Sequence, residues 1–220
     1  MSSAMIVSEQ HTVCLVGGAR VNPATITLIL PHVEKFIAVD GGADHLLTHE
    51  KTPIAVIGDL DSISEHARAT FAEQLVHIAE QDTTDFEKAL SRVDAPVVIA
   101  AGFTGGRIDH TLATLNVLAR FSERRVVLVD DCDASFVISG RFCEIDAPVG
   151  ARIAIMPLAE TMVSVTGVRW PFQDRLMRPD GFIGSSNQVT GPVSVRSDGP
   201  VLVSLASVHL DVALRAVSRG

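Results

Sequence analysis

From Thr12 to Asp130 the chain sets short apolar runs against longer segments whose apolar residues recur at helical spacing. The runs TVCLV, FIAVD, IAVIGD, LVHIA, VVIAAG and VVLVDD are nearly all apolar, as strands covered on both faces are. Between them a segment such as DHTLATLNVLARF repeats its apolar residues as one face of a helix does. Strand and helix in this alternation predict a Rossmann-like parallel α/β domain. After Asp131 the pattern changes to SFVIS, RIAIM, MVSVTGV, VSVR and VLVSLA, separated by Gly, Pro, Asp and Ser and with little helical periodicity. That half predicts a C-terminal β-sandwich or small barrel. The boundary falls near Asp130 to Ala134, giving an α/β domain over 1–131 and a β-sandwich domain over 132–220.

Composition narrows the class. With 220 residues, 47% of them apolar, the chain can bury one good core or two modest ones. No apolar run approaches the ~20 residues needed to cross a bilayer. Met1 to Gln10 lacks a basic-then-apolar secretion signal, so a soluble, cytoplasmic protein with no membrane partner is expected. Cys14, Cys132 and Cys143 are scattered and odd in number, which indicates neither a disulfide framework nor a zinc site; they are expected to be reduced core residues. A formal charge of -8 argues against nucleic acid as a partner. Lysine is confined to Lys35, Lys51 and Lys88, so phosphate contacts would fall mainly to arginine, backbone amides or a metal.

In an open parallel sheet, ligands bind beyond the carboxyl ends of the strands. The residues there are Gly17 and Gly18, then Asp40-Gly41-Gly42, then Gly58-Asp59-Leu60-Asp61-Ser62, then Gln81-Asp82-Thr83-Thr84-Asp85, then Gly102 through Gly105-Gly106-Arg107-Ile108-Asp109-His110. Each has an ordinary structural reading. Gly-Gly makes tight turns, Thr84 with Glu87 and Ser62 with Glu65 fit capping boxes, and Asp109 fits an N-cap. Their coincidence points elsewhere. Asp40, Asp59, Asp61, Asp85 and Asp109 gathered at one sheet edge would repel one another unless a cation intervened. All-oxygen ligands suit Mg²⁺, while glycines, helix N-termini and Arg107 suit phosphate, so the set predicts a metal–nucleotide complex. GxxxxGK[ST], GxGxxG and a kinase-type lysine strand are all missing. An aspartyl-phosphate hydrolase built on Asp59 and Asp61 would also want a lysine for the phosphoaspartate, and only Lys88, inside a helical segment, is near.

The motifs GDLDS, QDTTDFEKAL and GFTGGRIDHTLATLNVL, in that order and spacing and preceded by DGGADHLL, resemble the thiamine pyrophosphokinase family. TGVRWPF and the later Ser185-Ser186-Asn187 are similar to its WPL-type and S-N motifs, so the resemblance spans nearly the whole chain. It implies an ATP-dependent, Mg²⁺-dependent diphosphotransferase acting on thiamine. It also implies a nucleotide-binding N-terminal domain, a thiamine-binding sandwich, and a homodimer whose active sites lie between one subunit's α/β domain and the other's sandwich. By resemblance Asp59, Asp61 and Asp85 hold Mg²⁺, Arg107 and Asp109 join the catalytic face, and Gln81 and Thr84 line the nucleotide side. Gly17, Gly18, Asp40, Gly41, Gly42 and Ala43 bed the ATP, with Gly105 and Gly106 beside Arg107. Trp170, the only tryptophan, fills a core or a dimer contact on the ordinary reading and stacks on thiamine on the family reading. Ser185, Ser186 and Asn187 are then candidates for the pyrimidine edge. Gly184 departs from family members that carry a hydroxyl there. A pyrophosphokinase for a pterin-like heterocycle and a non-catalytic thiamine or nucleotide sensor are the alternatives, and His45, His66 and His110 have no assigned role.

Overall fold

The computed structural model describes residues 4–219 and shows a mixed α/β chain dominated by strands. It forms two compact units that part between Val117 and Leu118. Among the described residues no helix is long and apolar enough to cross a membrane.

The first unit contains β1 (Val7–Ser8), β2 (Val13–Val16), α1 (Pro23–Ile29), β3 (Lys35–Val39), α2 (Gly42–Thr48) and β4 (Ala55–Gly58). It continues with α3 (Glu65–Thr70), β5 (Leu75–His77), α4 (Asp85–Leu90), β6 (Val93–Asp94), β7 (Val98–Ala101) and the start of α5 (Ile108–Arg120). Strands β7-β2-β3-β4-β5 lie side by side, all parallel. β2, β4 and β7 are buried at every residue, which is why their sequences lack alternation. The register pairs Val16 with both Ala38 and Ala101, Val39 with Ile57, and Gly58 with His77. The strand ends at Gly17, Asp40, Asp59 and Gly102 therefore fall along one edge of the sheet. β2 is flanked by β3, next in this sheet's chain order, and by β7, last in it, so the order reverses there and leaves a crevice of the kind ligands use.

The second unit contains β8 (Val126–Val129), β9 (Asp133–Ile138), β10 (Arg141–Ile145), β11 (Arg152–Pro157), β12 (Thr161–Val168), β13 (Phe172–Met177), β14 (Gly184–Ser197), β15 (Val201–Ala206) and α6 (Leu210–Ser218). Its pairings are antiparallel, in the order β13-β12-β14-β11-β15-β9-β8, with β10 also on β14. β14 pairs with β11 through its first residues and with β10 and β12 through its later ones, so one long strand serves two sets of neighbours. β12 turns at Gly167, where φ is +73° and a Cβ would lie 1.9 Å from the Pro192 carbonyl oxygen.

Three sequence expectations need correction. α6 is a helix in the half expected to be all strand; it buries Leu210, Val212, Ala213, Ala216 and Val217, an i, i+3 stripe whose two alanines weaken the apolar signal. β13 escaped notice because only Met177 of its six residues is buried, and it pairs on one side alone. Cys132 is exposed, whereas Cys14 and Cys143 are core residues as expected.

Candidate active site

Asp40 follows β3 directly and adopts φ 46°, a left-handed conformation that aspartate tolerates better than most residues. Its N–H still donates to the Ile57 carbonyl at 3.0 Å, and its own carbonyl accepts from the Ala43 N–H at 3.1 Å as α2 begins. The tight start of α2 has a steric cause: a Cβ on Gly42 would stand 1.7 Å from the Val16 carbonyl oxygen. Burial pushes the Asp40 carboxyl above its usual range, and hydrogen bonds from Ser62 and Gly41 only partly offset this.

The loop after β4 is pinned by a second left-handed residue, Leu60, at φ 64°. An apolar side chain pays roughly 1–2 kcal/mol for that conformation. Leu60 is buried, and its carbonyl accepts from the Arg68 guanidinium of α3, so packing and a charge-assisted hydrogen bond hold the turn. Ser62 Oγ donates to Asp61 Oδ1 at 2.8 Å, and the Asp61 N–H faces Asp59 Oδ1 at 3.4 Å. Ser62 is not a helix cap: Ser64 caps α3, accepting from the Ala67 N–H at 3.1 Å while its own N–H and hydroxyl donate to Asp44. Asp40, Asp59 and Asp61 each bring a carboxylate oxygen to within 4.8 Å of the others. Three hard oxygen donors at that spacing fit a magnesium-like cation.

Thr84 caps α4, accepting from the Glu87 N–H at 3.2 Å, and Asp85 is the first helical residue. Asp85 Oδ1 lies 3.3 Å from where a Gly58 side chain would begin, and its charge acts on Asp40. Lys88, one helical turn on, is 1% exposed and places Nζ 2.9 Å from Asp85 Oδ1 and 3.6 Å from Asp59 Oδ2. Gln81 Nε2 donates to Asp59 Oδ2 at 3.2 Å. Burial opposes ionisation of Asp59, yet hydrogen bonds from Gln81 and the Asp61 N–H, with the charge of Lys88, hold it below the usual carboxylate range. Burial likewise opposes the charge on Lys88, and the hydrogen bond to Asp85 with the charges of Asp85, Asp59 and Glu80 lifts it above the usual lysine range. Sequence reasoning gives Lys88 no role at this site. The signal that could have found it is its (i, i+3) spacing from Asp85 on a helix.

Arg107 and Asp109 form a two-pronged pair, Nε to Oδ1 at 3.1 Å and an Nη to Oδ2 at 2.5 Å, and both side chains are largely exposed. Arg107 holds the Asp109 carboxyl below its usual range. Asp109 is the second residue of α5, inside the helix rather than its cap. The glycines of this edge divide into two kinds. Gly17 and Gly42 are buried against backbone, as a Cβ on Gly17 would meet the Gly102 carbonyl oxygen at 2.5 Å. Gly18, Gly105 and Gly106 are exposed and have room around them, while Gly41 is half-buried with the Ser62 carbonyl oxygen 3.3 Å from a built Cβ. Ala43 is fully buried and offers no side-chain surface to a ligand.

In the second unit Trp170 is 57% exposed, with the Arg169 guanidinium 4.9 Å from its ring centroid. Asn187 is buried and grips the tryptophan backbone: Oδ1 accepts from the Trp170 N–H at 3.2 Å and the Gln188 N–H at 2.9 Å, and Nδ2 donates to the Trp170 carbonyl at 3.0 Å. Ser185 and Ser186 are exposed, Ser186 with φ 59°. A Cβ on Gly184 would sit 3.0 Å from the Ile155 carbonyl oxygen of the paired β11, a tight approach.

Residues 26–129 match the family model described as the thiamin pyrophosphokinase catalytic domain, and residues 143–202 match that of the thiamin pyrophosphokinase vitamin B1 binding domain. Thiamine pyrophosphokinase 2 of Oryza sativa subsp. japonica is 28% identical over 86% of this chain and 84% of its own. Thiamin pyrophosphokinase from Candida albicans shares the fold, with a TM-score of 0.78, 16% identity, and coverage of 90% of this chain and 89% of its own. A thiamin pyrophosphokinase family protein from Enterococcus faecalis aligns with a TM-score of 0.72 and 25% identity over 89% of this chain and 98% of its own.

Proposed function

The chain belongs to the thiamin pyrophosphokinase family, and we propose that it carries out the corresponding reaction, transfer of a pyrophosphoryl group from ATP to the hydroxyl of thiamine. The observation that carries this reading is the meeting of Asp40, Asp59 and Asp61 at one end of a parallel sheet, in a chain that matches both the catalytic and the vitamin-binding domain of the family. On this reading residues 1–131 are a Rossmann-like nucleotide domain and 132–220 a β-sandwich that takes thiamine.

Asp59 and Asp61, with Asp40 and Asp85 beside them, are the residues to hold Mg²⁺, and their all-oxygen character fits it. Bound there, the ion would supply charge neutralisation at the phosphate oxygens. Gly18, Gly41, Gly105 and Gly106 let phosphates approach backbone amides, while Gly17, Gly42, Asp40 and Ala43 shape the bed beneath. Arg107 turns its fork from Asp109 to a phosphate oxygen. Gln81 and Thr84 border the nucleotide. Trp170 offers its face to the cationic ring, Ser185 and Ser186 offer hydroxyls to the pyrimidine edge, and Asn187 fixes the tryptophan backbone. The thiamine oxygen attacks the β-phosphorus, the bond from that phosphorus to the oxygen bridging to the α-phosphate breaks, and AMP leaves with that oxygen. The hydroxyl proton passes to Asp85 or Asp109, which single replacements distinguish. The reading extends to a cytoplasmic homodimer with shared sites, checked by light scattering.

Incubation with ATP, Mg²⁺ and thiamine should yield thiamine diphosphate and AMP in equal amounts, and EDTA should stop it. Asp59→Asn should lower kcat at least ~100-fold with an unchanged far-UV spectrum. ADP with thiamine monophosphate would overturn the site of attack, and near-normal turnover by Asp59→Asn would overturn the role of the carboxylates.

A further inference from the structure

Lysine is almost never fully buried unless it is paired, since removing its charge from water costs several kcal/mol. Lys88 is 1% exposed, among the largest fully buried side chains of the described residues. It offers almost no surface to a substrate, so its burial calls for a role exercised through its neighbours. Its Nζ stands 2.9 Å from Asp85 and 3.6 Å from Asp59. We propose that Lys88 is a positioning residue, a built-in counter-cation that ties Asp59 to Asp85 and keeps the carboxylates assembled before any divalent cation arrives.

The charge count supports this. Asp40, Asp59, Asp61 and Asp85 carry four negative charges when ionised, and oxygens of three of them lie within 4.8 Å of one another. Without an internal cation this loop would spread on release of a metal–nucleotide complex and reorganise at every turnover. Other groups fix parts of the assembly: Gln81 donates to Asp59 Oδ2, the Asp61 N–H faces Asp59 Oδ1, and Arg68 secures the Leu60 carbonyl. Of these, only Lys88 spans from the β4 loop to the start of α4 with a full positive charge, joining two stretches 26 residues apart in sequence. The residue type suits the task. An ammonium is a compact charge that serves two carboxylates at once, whereas a guanidinium fork favours bidentate pairing with one.

The inference rests on the carboxylates being the cation site, and the test separates the two ideas. Lys88→Met keeps the volume and removes the charge. In EDTA the variant should melt below wild type, and added Mg²⁺ should raise its melting temperature by at least about twice the wild-type increment, because the ion then supplies the missing neutralisation. At saturating Mg²⁺ its kcat should fall at least about tenfold while KM for thiamine stays within about twofold, as expected when a supporting group orients the ligands rather than binding substrate. A lysine that merely filled space would lower both melting curves equally. Equal magnesium increments, or unchanged kcat, would therefore overturn the role of Lys88 while the wild type still made thiamine diphosphate; absence of product from the wild type would overturn the functional reading instead. If Lys88→Met does not fold, Lys88→Gln, which is neutral but can still donate to Asp85, is measured against the same two outcomes.

Discussion

Replacing Asn187 with alanine should loosen the surroundings of Trp170 without touching the carboxylate site. The Asn187 side chain is 7% exposed and makes three hydrogen bonds, two to the Trp170 backbone and one to the Gln188 N–H. Truncation leaves two donors and one carbonyl to find other partners, at about 1 kcal/mol each, so the loss should be about 3 kcal/mol. For a chain of this length unfolding as one, that corresponds to a fall of roughly 6–12 °C in the unfolding midpoint. Asn187→Asp keeps an oxygen for the two N–H groups but loses the donor to the Trp170 carbonyl and sets a carboxylate against it, so it should lie between wild type and alanine. Trp170 is the only tryptophan, so its fluorescence during thermal unfolding follows this locality alone. In turnover, KM for thiamine should rise more than kcat falls, since the platform for the cationic ring is what moves. An alanine variant with wild-type midpoint and emission would refute the clamp.

Gly42→Ala should be severely destabilising, because the new methyl would lie 1.7 Å from the Val16 carbonyl oxygen and the start of α2 cannot shift without breaking its seat on β2; soluble yield and far-UV melting will show it, and a variant with wild-type stability would be contrary evidence. The pair of Asp211 and Arg215 should add only about 0.5 kcal/mol at neutral pH, since both side chains are nearly half exposed. Arg215 donates to Asp211 and holds its carboxyl below the ordinary value of 3.8, so the contribution is present above that pH and is lost as pH falls through the lower folded value. Arg215→Ala should accordingly cost stability at pH 7 and progressively less as pH falls below 3.8 in chemical denaturation; a larger loss in acid would contradict the sign.

The apolar runs were enough to identify β2, β3, β4 and β7, because strands covered on both faces leave near-continuous apolar sequence whatever their neighbours are; β5 was found by its run too, although it is an edge strand with no fully buried residue. They were also enough to make the residues after those strands suspect, since a parallel sheet delivers its strand ends to one edge. The antiparallel half was legible at β9, β11, β12, β15 and the later part of β14, but RFCEI, which forms β10, was missed although its burial alternates. Legibility also failed at β13, an edge strand with one buried residue, and at α6, whose stripe rests on alanines. No local pattern could show that Asp40 joins Asp59 and Asp61 within 4.8 Å, for that depends on the register of β3 against β4 and on left-handed turns at Asp40 and Leu60. For Lys88 only the (i, i+3) spacing from Asp85 was local; its burial and its approach to Asp59 were not. A lysine on a short helix reads as a solvent-facing charge, and only the packing of α4 buries it between two carboxylates that lie 26 residues apart in sequence. Periodicity records which residues each element buries, so it is written locally; which charges then meet is set by register and packing between distant segments, and that only the tertiary structure decides.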